Sequence, residues 1–127
     1  MKPLVAIVLL FATQVHAGDF GSRVAEAKVA SATPEGKEYE KAIGPYIGSA
    51  MQACIPLGSK EPANLGSFGM VGRVTAHGKL VDVETNPLTK VSRCFAEKLQ
   101  ELALPTPPES GAQGSAFPIE ISMQVVP

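Results

Sequence analysis

Several residue types that support common functions are scarce in this chain of 127 residues. It has no tryptophan, two tyrosines, two cysteines and two histidines. Lysine and arginine total 11 against 12 aspartate and glutamate residues, so the chain lacks the basic excess typical of proteins that bind nucleic acid. It also lacks a Cys-x-x-Cys pair, and only His77 lies outside the N-terminal segment, which leaves too few ligands for a zinc site. What remains is one small domain.

The N-terminal segment has the pattern of a secretory signal. Lys2 supplies one positive charge, residues 4–12 form an apolar run, and small residues surround Ala17. A membrane-spanning helix needs about 20 apolar residues, so this run is too short for the first alternative, a retained anchor. The second alternative is a cytoplasmic chain. We predict a cleaved signal peptide over residues 1–17, cleavage after Ala17, and a periplasmic protein without a membrane anchor.

The two cysteines, Cys54 and Cys94, both lie in the predicted mature chain and are 40 residues apart. Disulfides persist in oxidising compartments such as the periplasm. We therefore predict that Cys54 and Cys94 pair with each other, and the alternative is two free or reactive thiols. Closing a loop of this size stabilises the fold by roughly 4 kcal/mol if the effect is chain entropy.

The first half of the mature chain predicts one helix. Residues 18–32 are small, polar and weakly patterned, so they are expected to form a flexible lead-in with at most a helical turn. Thr33 can cap a helix over residues 33–54, and Pro34 suits its first position. Apolar residues then recur at steps of three and four: Tyr39, Ala42, Ile43, Tyr46, Ile47, Ala50, Met51 and Cys54. Gly44-Pro45 either kinks this helix or delays its start, and the continuous apolar face favours a kink.

The second half predicts a hairpin, a helix and a strand. After a loop over residues 55–67, residues 68–76 and 79–84 alternate between apolar and polar positions around a turn at His77-Gly78. In the second strand, Val81 and Val83 are expected on one side, against Leu80, Asp82 and Glu84. A second helix begins at Asn86-Pro87 or at Thr89 and ends before Pro105.

The last strand is predicted over residues 117–125, after a proline-containing loop. Its apolar side chains alternate with polar ones: Phe117, Ile119, Ile121, Met123 and Val125. Pro118 cannot donate a hydrogen bond to a neighbouring strand, so this strand should lie at a sheet edge.

No group of residues predicts a catalytic, cofactor or metal site. His77 falls on the predicted turn, and Asp82 and Glu84 fall on the solvated side of a strand. Two other functions remain as alternatives. One is an enzyme with a cleft that brings His77 near Asp82 or Glu84, and the other is a binder of a small apolar ligand between sheet and helices.

Residues 46–126 resemble the C-terminal domain of TonB and TolA-like proteins. The resemblance lies in the hairpin residues 78–83, the helix residues 91–102, and Leu104-Pro105 with Pro107-Pro108 before the last strand. It implies that residues 33–127 form one α+β domain in the order helix, hairpin, helix, strand. The sheet would be antiparallel and three-stranded, with both helices on one face, the first strand central and the last at an edge.

The resemblance also implies a function in binding other proteins. TonB domains take an extended peptide beside the last strand, so residues Phe117, Ile119, Ile121, Met123 and Val125 mark the candidate edge. The expected partner is another cell-envelope protein. The chain departs from TonB because its signal looks cleavable and no proline-rich spacer is present, so energy transduction is not expected.

Overall fold

The computed structural model describes residues 19–58, 66–109 and 116–126, and only the backbone of residues 55–58. The predicted signal peptide, residues 1–17, lies outside the described residues. The described elements follow in chain order: α1 (Phe20–Ser31), α2 (Pro34–Gly58), β1 (Gly66–Val74), β2 (Leu80–Asn86), α3 (Lys90–Glu101) and β3 (Phe117–Val125). The predicted α+β class is confirmed.

The three strands form one antiparallel sheet in the order β2-β1-β3. β1 is therefore central and β3 lies at an edge, as expected. β3 pairs with β1 in unbroken register, from Gly66 opposite Val125 to Val74 opposite Phe117. Because directly opposed residues in antiparallel strands share a face, Phe68, Met70 and Val74 lie on the same face as the apolar side chains of β3.

That face, here called the core face, is covered by α2 and α3. Phe95 of α3 packs edge-to-face on Phe68 with ring centroids 5.7 Å apart, and Tyr39 of α2 packs in the same way on Phe117 at 5.4 Å. The buried residues of both helices join those of the sheet in one apolar cluster. The prediction that two helices pack on one face is thus confirmed.

The predicted disulfide is present and joins the two helices on the core face. The Sγ atoms of Cys54 and Cys94 are 2.08 Å apart, with the Cα atoms 5.8 Å apart. Cys54 lies in the last quarter of α2 and is fully buried, while Cys94 lies in the second turn of α3. The bond therefore fixes the C-terminal part of α2 to the start of α3.

The prediction that residues 18–32 form a flexible lead-in is wrong. Phe20–Ser31 form a helix of 12 residues, and the Asp19 side chain caps it by accepting a hydrogen bond from the Gly21 amide. This helix packs on the other face of the sheet, here called the second face. Ala27 and Val71 are buried there, outside the apolar cluster of the core face. Ala27 and the ring of Phe20, which lies over Gly69 of β1, supply this packing. Between them they leave no clear apolar period in the sequence.

Several helix and strand boundaries differ from the predicted ones. α2 starts at Pro34 with Thr33 as its cap, as expected, because the Gly36 amide donates to the Thr33 Oγ1 at 3.0 Å. The helix is continuous through Gly44-Pro45 and extends to Gly58, so the predicted loop over residues 55–67 begins too early. β1 begins at Gly66 rather than at residue 68.

α3 begins after Thr89 and not at Asn86-Pro87. Thr89 and Ser92 form a reciprocal capping box, in which the Ser92 amide donates to Thr89 Oγ1 and the Thr89 amide donates to Ser92 Oγ. Asn86 instead pairs with Gly69 as the last residue of β2, and the Asn86-Pro87 peptide bond is cis. The start at Thr89 is favoured over the start at Asn86-Pro87 because the capping box satisfies two backbone amides at once.

The predicted alternation of β2 is wrong because the strand contains a bulge. The β1–β2 register shifts between Val71 and Arg73, and Asp82 has a φ of 52°. The extra residue places Leu80 and Val83 on the same side, where both face Gly72. Aspartate tolerates this left-handed conformation better than most residues.

Candidate functional site

The outer edge of β3, the side of this strand that faces away from β1, is the candidate site. Within the described residues no strand pairs with it. Along a strand, every second residue directs its amide and carbonyl groups to the same side. Pro118 has no amide hydrogen, so its side of the backbone is expected to face outward. Residues 120, 122 and 124 then share this outward side and offer the groups that a further strand would pair with.

The five apolar side chains predicted for this edge point into the protein. Phe117, Ile119 and Ile121 are buried in the cluster of the core face, and Met123 and Val125 are half-buried against it. Their side chains hold β3 in place, so only the backbone of this edge would be available to a pairing strand.

The side chains of β3 on the second face are the ones that a partner could reach. Ser122 and Gln124 are exposed, and Pro118 and Glu120 are half-buried. The Ser122 hydroxyl donates to the Glu120 Oε1 at 2.7 Å. This contact aligns the Glu120 carboxylate along the strand. Val126, which follows β3, is 66% exposed.

The other edge of the sheet is less suited to accept a strand. β2 has seven residues against nine in β3, and its register is broken at the bulge. A bulged, acidic edge twists its amide and carbonyl groups out of line with an incoming strand. At the bulge the Asp82 carbonyl oxygen already accepts a hydrogen bond from Arg23 of α1.

A cleft of about 470 Å³ lies beside this bulge, between α1 and β2. Its lining residues are Arg23, Arg73, Asp82, Val83 and Glu84. Its two arginines are paired: Arg23 lies 3.5 Å from the Glu84 carboxylate, and Arg73 binds the Glu26 carboxylate of α1 through two hydrogen bonds of 3.1 and 3.0 Å. The charge pairs hold α1 to the sheet, and four of the five lining residues carry a charge.

His77 does not line this cleft. It is exposed in the turn between β1 and β2, where the Thr75 amide donates to the Lys79 carbonyl and the Gly78 amide donates to the Thr75 carbonyl. Gly78 has a φ of +81°, and a methyl group there would lie 2.1 Å from the Leu104 carbonyl oxygen. His77 thus belongs to a turn whose conformation requires glycine at the next position.

The proline-containing segment that follows α3 is anchored to this turn and to α2. The Leu104 amide donates to the Gly78 carbonyl at 2.9 Å, and the Tyr39 hydroxyl donates to the Pro105 carbonyl at 2.8 Å. Burial raises the pKa of Tyr39 to about 12. Tyr39 therefore acts as a buried structural donor, holding the segment that leads into β3.

Sequence reasoning missed α1 and its role beside the sheet. One local signal was present, since Asp19 precedes an alanine-containing stretch and aspartate is a preferred helix cap. Nothing in the sequence indicated that Arg23 would reach β2, because that contact joins residues 59 positions apart.

The described residues include no group of three or more histidine, cysteine, aspartate or glutamate side chains that could hold a metal ion. Of the helices in this part of the chain, none has both the length and the apolar character needed to cross a membrane. No protein family, curated protein or solved structure matches the chain.

Proposed function

We propose that this chain is a small, exported, non-enzymatic module that binds another protein of the cell envelope. The partner contributes an extended segment, which pairs with the outer edge of β3 and extends the sheet by one strand. In this mode the backbone hydrogen bonds supply affinity and the neighbouring side chains supply specificity.

One observation carries this proposal: β3 is a nine-residue edge strand in unbroken register with β1. A long, regular edge presents a row of amide and carbonyl groups that another strand can pair with, and most proteins protect such edges. Here the bulge and Asp82 protect β2. On β3, within the described residues, only Pro118 interrupts the row. One edge of the sheet is thus protected against pairing and the other is not. This difference is expected if the β3 edge pairs with a partner strand.

The proposed location is the periplasm, reached through the signal sequence of residues 1–17. The Cys54–Cys94 disulfide supports it, because such bonds persist in oxidising compartments. The resemblance to the C-terminal domains of TonB and TolA-like proteins suggests the same compartment and the same kind of partner. Fractionation and N-terminal sequencing test this, with Gly18 expected as the first residue. Two alkylatable thiols in protein from the native compartment would contradict it.

The binding mode is tested by two substitutions at one exposed position in the middle of β3. Ser122→Pro removes an outward amide, whereas Ser122→Ala loses the same hydroxyl but keeps the amide. Each variant and the wild type serve as bait for periplasmic extract, and hydrogen exchange is followed with the captured partner bound. We expect wild type and Ser122→Ala to capture a partner that protects residues 117–125, and Ser122→Pro to lose it.

Urea unfolding of the variants shows whether Ser122→Pro still folds, and Gln124→Pro provides a second proline nearer the strand end. A partner that binds a folded Ser122→Pro or Gln124→Pro variant as tightly as wild type would refute strand addition at β3. So would a bound partner that leaves the exchange of residues 117–125 unchanged.

A further inference from the structure

We propose that α1 forms one wall of the partner site, and that Lys28 on this wall binds an acidic side chain of the partner segment. This inference rests on the proposed function. It defines the chemistry of the partner as an extended segment that places a carboxylate near Lys28 and an apolar side chain near Val24.

The position of α1 follows from its contacts with the sheet. The helix lies on the second face, closer to β3 than to β1. From there Arg23 reaches across to Glu84 of β2 at 3.5 Å, and Glu26 reaches Arg73 of β1 at 3.0 Å. One flank of α1 is therefore turned toward β1 and β2, and the opposite flank must lie on the outer side of β3.

The residues on that outer flank follow from helical geometry. An α-helix turns by about 100° per residue, which places Gly21, Val24 and Lys28 roughly opposite Arg23 and Glu26 and beside the buried Ala27. Val24 is half-buried, and Gly21 and Lys28 are exposed. A strand added to β3 would run beside this flank. Its side chains on the second face would meet space at Gly21, an apolar surface at Val24 and a positive charge at Lys28.

The contacts of α1 also fix the direction of this pattern. Arg73 binds Glu26 and lies opposite Pro118 in the β1–β3 ladder. Lys28 is two residues further along α1, so it lies near the Pro118 end of the edge. The partner's carboxylate is therefore expected at that end. Next to Glu120, toward the middle of β3, the partner should carry no negative charge.

The charge on Lys28 is available for such a contact. Arg23 and Arg73 are both paired with carboxylates, whereas Lys28 makes no ion pair with any residue that the structure describes. A lysine in the last turn of a helix also interacts favourably with the helix dipole. A change in stability of a Lys28 variant would therefore reflect the helix dipole and not the binding of a partner. The test must instead measure which partner residues are selected.

The experiment selects short random peptides displayed on phage against the purified, disulfide-bonded protein. Selections use the wild type, Lys28→Glu, and Lys41→Glu as a control that makes the same charge change at an exposed lysine of α2. We expect wild-type selections to fix an aspartate or glutamate at one position. Those peptides should bind Lys28→Glu about fivefold more weakly, the size expected for one exposed ion pair. Lys41→Glu should bind them like wild type, and selection on Lys28→Glu should favour lysine or arginine at that position.

Hydrogen exchange with the selected peptides separates the two ways of failing, and thermal unfolding confirms that each variant is folded. If peptides protect residues 117–125 but bind folded Lys28→Glu as tightly as wild type, the role of α1 is refuted and strand addition stands. If no selected peptide protects residues 117–125, strand addition itself is refuted, and this inference with it.

Discussion

Gly36 lies in the first turn of α2, against the last residues of α1, and its replacement by alanine should destabilise the protein. A methyl group at this position would lie 2.2 Å from the Ala30 carbonyl oxygen and 2.8 Å from the Ser31 Cα atom. Both atoms belong to the backbone, so no side-chain rotation can relieve the clash. The cheapest relief is for α1 to move away from α2, which would also disturb its contact with the sheet.

The expected cost can be estimated from comparable changes. Inserting a methyl group into a tightly packed site typically costs 1–3 kcal/mol. The substitution also strains the Thr33 cap, because the Gly36 amide donates to the Thr33 hydroxyl at 3.0 Å and that hydroxyl donates to the Ala30 carbonyl at 2.9 Å. Against this, alanine stabilises a helix by roughly 0.5–1 kcal/mol relative to glycine. We expect a net loss of about 2 kcal/mol in the free energy of unfolding.

Gly48→Ala is the matched control, because Gly48 lies in the same helix and its added methyl group would meet nothing within 4 Å. It should gain about 0.5–1 kcal/mol from helix propensity alone. Urea unfolding should therefore move the midpoint down for Gly36→Ala, by about 1–2 M, and up for Gly48→Ala. Hydrogen exchange should accelerate most in α1 of Gly36→Ala. Equal stabilisation by both substitutions would show that the first turn of α2 does not pack on the end of α1 as described.

Three further substitutions test other contacts of the fold. Replacing Cys54 and Cys94 together by alanine should lower the free energy of unfolding in urea by about 4 kcal/mol. A loss below about 1 kcal/mol would contradict the idea that the disulfide stabilises the fold by restricting the unfolded chain. Because burial raises the pKa of Tyr39 to about 12, above its ordinary value of about 10, the unfolded chain loses this proton first, so stability should fall from pH 10 to 12. Tyr39→Phe should remove most of that fall. If this variant loses as much stability between pH 10 and 12 as the wild type, Tyr39 is not the group responsible. Glu26→Gln should accelerate exchange in α1, by less at high salt because exposed ion pairs are screened. Exchange that is unaffected would show that the contact with Arg73 does not hold α1.

The parts of the fold that the sequence predicted well are those with a strong apolar period. α3 and β3 place apolar side chains at regular steps, and each ends up with that face in the core. Pro118 correctly indicated an edge strand, since its missing amide hydrogen is a local property that any sheet must accommodate. The disulfide could be predicted because the chain offers only one pairing of two cysteines.

The parts that the sequence did not predict depend on contacts between distant residues. α1 buries only Ala27 completely, so its apolar period is too weak to distinguish a packed helix from a flexible lead-in. The bulge in β2 depends on the left-handed backbone of Asp82, which local sequence permits but does not require. The Arg23 contact with the Asp82 carbonyl joins these two features across the sheet.

This contact also links the two edges of the sheet. Arg23 on one flank of α1 binds the bulged carbonyl of Asp82, which keeps β2 irregular and unsuited to pairing. In the partner site that we propose, the opposite flank of the same helix lies beside the outer edge of β3. If α1 left the sheet, β2 would lose a contact that supports its bulge and β3 would lose the wall beside its edge. Under the proposed function, the choice between the two edges therefore depends on α1, although the helix contributes no residue to the main apolar core except Ala30 at its margin.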